Sequence, residues 1–347
     1  MNLRLVILRS AASHSLLWRI FESAIEGVRN TQNRLQINPP LRAVAVEDTN
    51  NCNLSCIMCA NDRMERERGF MSRDVCDLLA RQIPDNSLRL MCMLAVGEPS
   101  LHPDLVSLLQ TVRGKAGRLM LCTNVVALKG NHELAERIMT SGLNHLHISA
   151  DGYDSESYEK IRQGARFRDL LTNMEILKKA RDRHNPALMI ELLYCLVRKH
   201  SLEELARVFE VFDPYVDLVA FKPLNNQAHK SIAYRPQKKI LGINAFKANP
   251  VPCVLLWNSP TVLWDGKVSA CSGDYDGSFV MGDLQKQSLL AIWHCNAMRT
   301  LRKDHLNQRF PRKCRNCSQL LESNFQTIKI NKHIRQKLDL PWRGLIH

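Results

Sequence analysis

Three closely spaced cysteines are the feature that most limits what this sequence can fold into. Cys52, Cys56 and Cys59 lie within eight residues, directly after an apolar segment that we expect to form a β-strand. A loop of this spacing can wrap one corner of a cubane iron–sulfur cluster, with thiolates on three irons and an open coordination position on the fourth. An open position is how a protein lets a metal centre bind a substrate or a cofactor.

A zinc site, or three thiols with no shared role, would show the same spacing. A structural zinc site takes four ligands, and the residues that follow, 60–68, contain neither His nor Cys. The apolar run 5–8 is closed by Arg4 and Arg9, which is too short for a secretory signal, and no transmembrane segment is evident. We therefore expect a cytoplasmic protein, in which the twelve cysteines serve metal binding or catalysis rather than disulfides.

The composition indicates a globular protein with an excess of positive charge. The chain of 347 residues is 45% hydrophobic, which allows one large core and a smaller second domain. Its formal net charge is +14, but aromatic residues make up only 6% and do not alternate with the basic ones as a base-stacking surface requires. We expect a basic face that docks an acidic electron-transfer protein, rather than nucleic-acid binding.

Short apolar runs alternate with helical patterns along the middle of the chain, which predicts a parallel α/β sheet, open or curled into a partial barrel. The predicted strands are 42–47, 89–96, 119–122, 145–149, 188–196 and 218–221. The predicted helices are 72–82, with Ser72 as its N-cap, 101–112, 131–140, 167–183 and 202–212.

Changes in composition divide the chain into five parts. We expect an N-terminal extension 1–40 with an amphipathic helix at 14–30, a core domain 41–224, a polar linker 225–250, a cysteine-rich domain 251–330 and a basic tail 331–347. The acidic residues on the polar face of the helix favour packing against the core over lying on a membrane surface.

The cysteine motif and its order along the strands resemble the radical S-adenosylmethionine (radical SAM) superfamily. Gly97, Glu98 and Pro99 stand where that family has a Gly-Gly-Glu-Pro turn, which implies that they hold the amino group of the cofactor's methionine moiety. Val96 replaces the first glycine, and we expect Gly97 to be the only flexible hinge of the turn.

Further motifs of this resemblance fall at the carboxyl ends of successive strands, where parallel α/β folds place their sites. Taken singly, these are ordinary strand-end and helix residues. Their order along successive strands is what makes them candidate site residues. The resemblance implies cofactor contacts for Asn124, for Ser149 and Asp151 near the ribose and carboxylate, and for Arg162 on the carboxylate. Met58 covers the adenine or packs in the core.

The resemblance implies a partial (β/α)6 barrel of the radical SAM type followed by a small cysteine-rich auxiliary-cluster domain. It also implies S-adenosylmethionine as cofactor and a 5′-deoxyadenosyl radical that abstracts a substrate hydrogen atom. The electron that starts this reaction would come from an acidic donor such as a flavodoxin or a ferredoxin.

Four later cysteines, Cys253, Cys271, Cys314 and Cys317, can close a second site. Their spacing alone fits structural zinc and iron–sulfur equally. The segment resembles the SPASM and twitch auxiliary-cluster domains, through an Asp265-Gly266-x-Val268-x-x-Cys271 turn and an Ile292-Trp293 helix start. No cysteine follows Cys317, so the resemblance implies one four-ligand auxiliary cluster and two 4Fe–4S clusters in all.

One remaining thiol is a candidate hydrogen donor. Cys295 follows His294 at the start of a predicted helix, a position that favours a reactive thiol. An epimerase needs a thiol that returns hydrogen to the opposite face of a substrate radical. A buried helix cysteine with no chemical role is the alternative.

Three functions compete for this sequence. The first is dehydrogenation or epimerisation of a polar small molecule such as a sugar or an aminocyclitol. The second is maturation of a ribosomally made peptide, and the third is a zinc protein that binds nucleic acid. About 40 residues precede the first predicted strand, too few for the peptide-binding domain of many maturases, and we expect the first function.

Overall fold

The computed structural model describes residues 36–224 except 95 and 199, residues 239–240, 243–244, 252–315, 317 and 320, and residues 328–330. The predicted helix at 14–30, most of the predicted linker and the predicted tail 331–347 lie outside the described residues. Within the described part of the chain, no helix combines the length and the apolar character needed to cross a membrane.

Six parallel strands form the centre of the sheet and confirm the predicted fold class. They are β1 (Ala43–Val46), β2 (Leu90–Met93), β3 (Leu119–Thr123), β4 (His145–Ser149), β5 (Met189–Leu196) and β6 (Leu218–Pro223). They pair in chain order, each parallel to the next. Their carboxyl ends therefore share one edge of the sheet, where the predicted cofactor motifs follow.

Six helices connect these strands: α1 (Arg73–Gln82), α2 (Leu105–Thr111), α3 (His132–Thr140), α4 (Ser155–Ile161), α5 (Phe167–His184) and α6 (Leu202–Phe212). The side chains of Ser72, Asn131 and Ser201 accept hydrogen bonds from the first turns of α1, α3 and α6. The short helix α4 was not predicted, because only Tyr158 and Ile161 are buried in it and they form no clear apolar pattern. Its start is marked by a capping box.

The main hydrophobic core lies on one face of the sheet. Alternate strand residues, such as Met91, Leu146 and Ile190, point into it together with the apolar sides of the helices. The residues between them, such as Cys92 and Glu191, are also buried. They do not belong to this core and so lie on the opposite face of the sheet, which we call the inner face.

The C-terminal region extends the same sheet at both edges. It follows a separate two-stranded ladder that joins β7 (Lys239–Ile240) to β8 (Ile243–Asn244). It contains α7 (Leu255–Asn258), β9 (Thr261–Val262), β10 (Lys267–Ser269), β11 (Val280–Asp283), α8 (Leu289–Trp293), α9 (Asn296–Leu306) and β12 (Ile328–Ile330). Strand β9 pairs parallel to β1, and β12 pairs antiparallel to β6.

A second, smaller core fills the C-terminal region. It is built around Trp257 and Trp293, both almost fully buried. The indole N–H of Trp257 donates to the Gln36 carbonyl at 2.8 Å, and that of Trp293 donates to the Pro39 carbonyl at 2.8 Å. The segment just before β1 is therefore bound to the C-terminal region. The domain boundaries at 40, 224 and 250 remain predictions.

Candidate active site

The first cysteine loop is fixed by backbone hydrogen bonds to the end of α4. The Ser55 N–H donates to the Gln163 carbonyl at 3.0 Å, and the Ile57 N–H donates to the Ile161 carbonyl at 3.0 Å. The Cys59 N–H donates to the Cys56 carbonyl at 2.9 Å, which turns the loop on itself. These bonds hold the three thiols at the carboxyl edge of the sheet.

The three thiols lie in an environment that does not ionise them on its own. Burial raises the pKa of Cys52 to about 11 and that of Cys56 to about 12, and the neighbouring thiols add to the shift. Burial also raises the pKa of Cys59. Metal cations would supply the positive charge that thiolates need here, so the donor set fits an iron–sulfur cluster.

Glu98 lies buried at the centre of the predicted cofactor turn. Its Oε1 accepts from the Ser100 N–H at 3.0 Å and from the Thr123 hydroxyl at 2.5 Å, and its Oε2 accepts from the Asn124 N–H at 2.6 Å. Burial raises the pKa of the Glu98 carboxyl, and these hydrogen bonds offset only part of that shift. A cation beside Oε2, such as an ammonium group, would favour the ionised form.

Gly97 is needed for space rather than for flexibility, which corrects the predicted hinge. A Cβ at this position would lie 2.1 Å from the Thr49 carbonyl oxygen, and its φ is not in the left-handed region. The Glu98 N–H donates to the Asn51 carbonyl at 2.7 Å. The turn is therefore packed directly on the backbone that leads into the cysteine loop.

Val96, in place of the family's first glycine, is accommodated by a small apolar cluster. It is 6% exposed and packs with Ala60 and Tyr275. Its carbonyl accepts a hydrogen bond from the Asn61 side chain at 2.6 Å. Tyr275 belongs to the C-terminal region, so this substitution joins the two parts of the chain next to the turn. Pro99 is also buried and begins a short 3-10 helix, Pro99–Leu101.

Asp151 and Arg162, predicted to contact the cofactor separately, form an ion pair with each other. The Asp151 Oδ2 and a terminal nitrogen of Arg162 are 2.6 Å apart, and the Asp151 Oδ1 accepts from the Cys195 N–H at 2.7 Å. The Arg162 Nε is buried and has no hydrogen-bond partner within the described residues, and the same is true of the Tyr158 hydroxyl. These two donors fit a polar ligand such as a carboxylate.

The remaining predicted cofactor residues lie around the same edge. The Asn124 side-chain amide donates to the Asn53 carbonyl oxygen at 2.9 Å, which links β3 to the cysteine loop. Ser149 is half-buried at the end of β4, and Met58 is 8% exposed beside the third cysteine. The cofactor contacts of these residues stay predictions.

Asp48 is a second buried carboxyl group near Glu98, and sequence reasoning did not single it out. It is fully buried two residues after β1, and its Oδ2 has no hydrogen-bond partner within the described part of the chain. Burial, together with the nearby carboxylate of Glu98, raises the pKa of Asp48 to about 8. The polar run 47–50 directly after a strand was the signal that marked it. A cation near these two buried carboxyl groups would favour their ionised forms.

Four cysteines from three separate segments come together in the C-terminal region. Cys253, Cys271, Cys314 and Cys317 line one cavity whose walls also include Tyr275. Burial raises the pKa of Cys271 to about 12 and that of Cys314 to about 12, and other thiols of the set add to both shifts. Four thiols around one cavity fit a cluster with every iron bound by the protein.

Cys295 lies with the C-terminal core rather than on the inner face of the sheet. Its sulfur accepts from the Met298 N–H at 3.4 Å and so serves as the N-cap of α9. This contact gives the residue a structural function. Its role as a hydrogen donor stays a prediction.

Comparisons with known proteins agree with this geometry. Residues 46–212 match the family model of the radical SAM superfamily, and residues 253–318 match that of an iron-sulfur cluster-binding domain, SPASM. A probable GTP 3′,8-cyclase of Methanocaldococcus jannaschii is 23% identical over 189 residues. That alignment covers 54% of this chain and 61% of the relative, which is less than two thirds of the relative's length.

Two solved structures share the fold over most of the chain. BtrN in complex with AdoMet and 2-DOIA superposes with a TM-score of 0.54 and 18% identity, covering 84% of this chain and 100% of BtrN. Streptococcus suis SuiB bound to precursor peptide SuiA gives a TM-score of 0.62 and 14% identity, covering 87% and 75%. The two family models confirm the predicted family, and the two solved structures agree with the predicted fold. The chain belongs to the radical SAM superfamily and carries a C-terminal SPASM iron-sulfur cluster-binding domain.

Proposed function

We propose that this enzyme removes a hydrogen atom from a C–H bond of a polar small molecule, such as a sugar or an aminocyclitol, and completes its dehydrogenation or epimerisation. When bound, the cluster on Cys52, Cys56 and Cys59 and S-adenosylmethionine supply the 5′-deoxyadenosyl radical for this step. A second 4Fe–4S cluster on the four C-terminal cysteines makes two in all. The enzyme would then be an oxidoreductase or an epimerase.

The observation that carries the proposal is the difference between three and four thiols. Three cysteines next to Glu98 leave a coordination position for a ligand, whereas Cys253, Cys271, Cys314 and Cys317 form a set that can bind all four irons. A fully bound cluster has no position for substrate, so its role is to accept or relay an electron. An electron acceptor beside the active site suits oxidation of a substrate radical.

The residues of the chain have distinct tasks in this scheme. Glu98 and Asp48 offer two buried carboxyl groups to the cationic methionine moiety. Arg162 keeps Nε available for a carboxylate while Asp151 fixes the orientation of its guanidinium. Asn124 and Asn53 join the third strand to the cysteine loop, so the cofactor and cluster sites are held in a fixed relation.

The partner and the compartment are proposals on separate grounds. The net charge of +14 supports docking of an acidic electron donor such as a flavodoxin or a ferredoxin. All twelve cysteines are free, which suits the reducing cytoplasm. We do not propose nucleic-acid binding through zinc, because residues 253–318 match an iron-sulfur cluster-binding domain.

Anaerobic turnover with candidate polar metabolites tests the proposal. Formation of one 5′-deoxyadenosine per product with no gain of solvent hydrogen would mean oxidation, and solvent deuterium at one carbon would mean epimerisation. Turnover of a precursor peptide but of no small molecule would instead establish the peptide-maturase alternative. A colourless protein with no bound iron would refute both.

A further inference from the structure

Three ligand-type side chains lie together on the inner face, away from both cysteine sites. His145 and His147 are two residues apart on β4 and therefore project from the same face. Glu191 lies on β5, and its Cα is the register partner of His147. None of the three was singled out from the sequence, because a His-x-His pair in an apolar strand is also what a half-buried strand looks like.

The ligand atoms of this group converge on one point. The Nε2 atoms of His145 and His147 each lie 3.0 Å from the Glu191 Oε2. The two imidazole rings are perpendicular, with centroids 4.5 Å apart. The three atoms lie within 4.8 Å of one another, close enough to share an ion with metal–ligand distances of about 2.0–2.2 Å.

One ring nitrogen of the group lacks a hydrogen bond within the described residues. His145 and Glu191 form a hydrogen bond, but the His147 Nε2 is buried and makes no hydrogen bond within the described residues, although Glu191 is near. The short separation without hydrogen-bond alignment is what two ligands of a common ion show. A bound cation would satisfy this nitrogen and would pair with the charge of the carboxylate, whose side chain is 1% exposed.

The other ring nitrogen of His147 has a partner of the kind that metal-bound histidines use. Its Nδ1 is 3.6 Å from the Cys122 Sγ, which is in turn 3.9 Å from the Cys92 Sγ. A bound ion at Nε2 leaves the proton on Nδ1, which then donates to Cys122 and fixes the ring. Three charged side chains act on the group. The Arg118 cation lies near His145, the Lys222 cation lies near Cys122, and the Glu191 carboxylate faces His147.

The group lies one to two residue pairs before the carboxyl ends of the strands, where the predicted cofactor residues are. His147 lies two residues before Ser149 on the same side of β4, which is about 7 Å along the strand. Cys122 stands in the same relation to Asn124. The His147 side chain is 13% exposed, so the group is reachable from the inner face.

We propose that His145, His147 and Glu191 form a mononuclear site for a divalent transition-metal ion, with its open positions towards the inner face of the sheet. Two imidazoles and one carboxylate are a donor set that binds Zn²⁺ and leaves room for an exogenous ligand. The chemical class of that ligand is an oxygen donor, such as a hydroxyl or carboxylate group. Metal binding at this site does not depend on the proposed reaction.

Zinc binding by the intact, cluster-loaded protein tests the site. The protein is incubated anaerobically with Zn²⁺, freed of excess metal, and examined for zinc content and by zinc X-ray absorption. We expect about one zinc per chain, with nitrogen and oxygen ligands at about 2.0–2.1 Å and no sulfur at about 2.3 Å. Zinc at background level in the loaded protein, or a sulfur shell, overturns the proposal.

Matched variants assign the zinc to these residues. Glu191→Gln and His147→Gln should reduce bound zinc to background, while Glu175→Gln and His132→Gln, on exposed helix positions, should retain it. Cys122→Ala should weaken zinc binding about 10- to 100-fold and leave the stoichiometry at saturation unchanged. Unchanged iron content shows that each variant is folded. Full zinc retention in folded Glu191→Gln and His147→Gln contradicts the assignment. The absorption spectrum of the wild type decides the matter if these variants do not fold.

Discussion

The two cysteine sites are built in different ways from the same kind of ligand. Cys52, Cys56 and Cys59 come from one short loop, fixed by backbone hydrogen bonds to the end of α4. The four C-terminal thiols come from three separate segments and line a cavity in the smaller core. A short loop can present only one side of a cluster, whereas separate segments can surround it. The difference in chain topology thus fits the proposed division into a ligand-binding site and an electron-relay site.

The largest expected effect is that cysteine substitutions at the two sites abolish different steps of the reaction. Cys56→Ser should remove about four irons and abolish 5′-deoxyadenosine formation, because the open site is lost. Cys271→Ser should also remove about four irons but should retain 5′-deoxyadenosine formation and lose only the product. Iron analysis and chromatography of turnover mixtures measure both. Cys76→Ala, a buried thiol of α1 outside both sets, is the control and should keep all its iron. Identical defects in the two cluster variants would remove the distinction between the sites.

The second effect concerns the carboxylate of the open site. Glu98→Gln keeps the shape of the side chain but removes its charge, so we expect S-adenosylmethionine to bind about 10- to 100-fold more weakly. Equilibrium binding to the reduced protein measures this. Glu175→Gln, on the exposed side of α5, should bind as tightly as the wild type. Unchanged affinity in Glu98→Gln would mean that the carboxylate serves only to join the strand ends.

The third effect concerns the packing that holds the open site together. Gly97→Ala brings a methyl group against the Thr49 carbonyl, and we expect a loss of about 1–3 kcal/mol in the free energy of unfolding. Gly117→Ala is the matched control. A Cβ at that position would lie 3.8 Å from its nearest neighbour, and the φ of Gly117 is outside the left-handed region. Urea unfolding of both variants compares them. Equal stability of the two would show that the turn relaxes away from the cysteine loop.

The smallest effect tests the connection between the two regions. Arg66 pairs with Glu47 after β1 and donates to the Tyr275 carbonyl, and both partners are buried. Arg66→Ala should lower stability by about 1–3 kcal/mol, because it removes a hydrogen-bond donor from each of these buried residues. Arg166→Ala breaks a solvent-exposed pair with Glu159 and should change stability little. Thermal unfolding distinguishes them, and equal midpoints would show that Arg66 does not couple the regions.

Much of the core was predictable from sequence because its strands are apolar runs separated by helices of clear periodicity. Strands β1 to β6 were all expected, and Ser72 caps α1 as predicted. The extension of the sheet by β9 was not expected, since Thr261–Val262 is too short for a periodic pattern. Its position is set by pairing with β1, which no local signal encodes.

Site residues that belong to a sequence motif could be predicted. Contacts between residues on different elements could not. The order of Glu98, Asn124 and Ser149 along successive strand ends indicated one shared edge. The pairing of Asp151 with Arg162 depends on how α4 turns back on the sheet. The convergence of His147 with Glu191 depends on the register between β4 and β5, which the sequence does not display.

Electron paramagnetic resonance of the reduced cluster variants tests the separation of the two sites most directly. S-adenosylmethionine is added to reduced Cys271→Ser protein, which keeps the open site, and to reduced Cys56→Ser protein, which keeps the four-cysteine site. We expect the cofactor to shift the cluster signal of the first protein and to leave that of the second unchanged. A shift in the Cys56→Ser protein, or none in the Cys271→Ser protein, would contradict the assignment of cofactor binding to the three-cysteine loop.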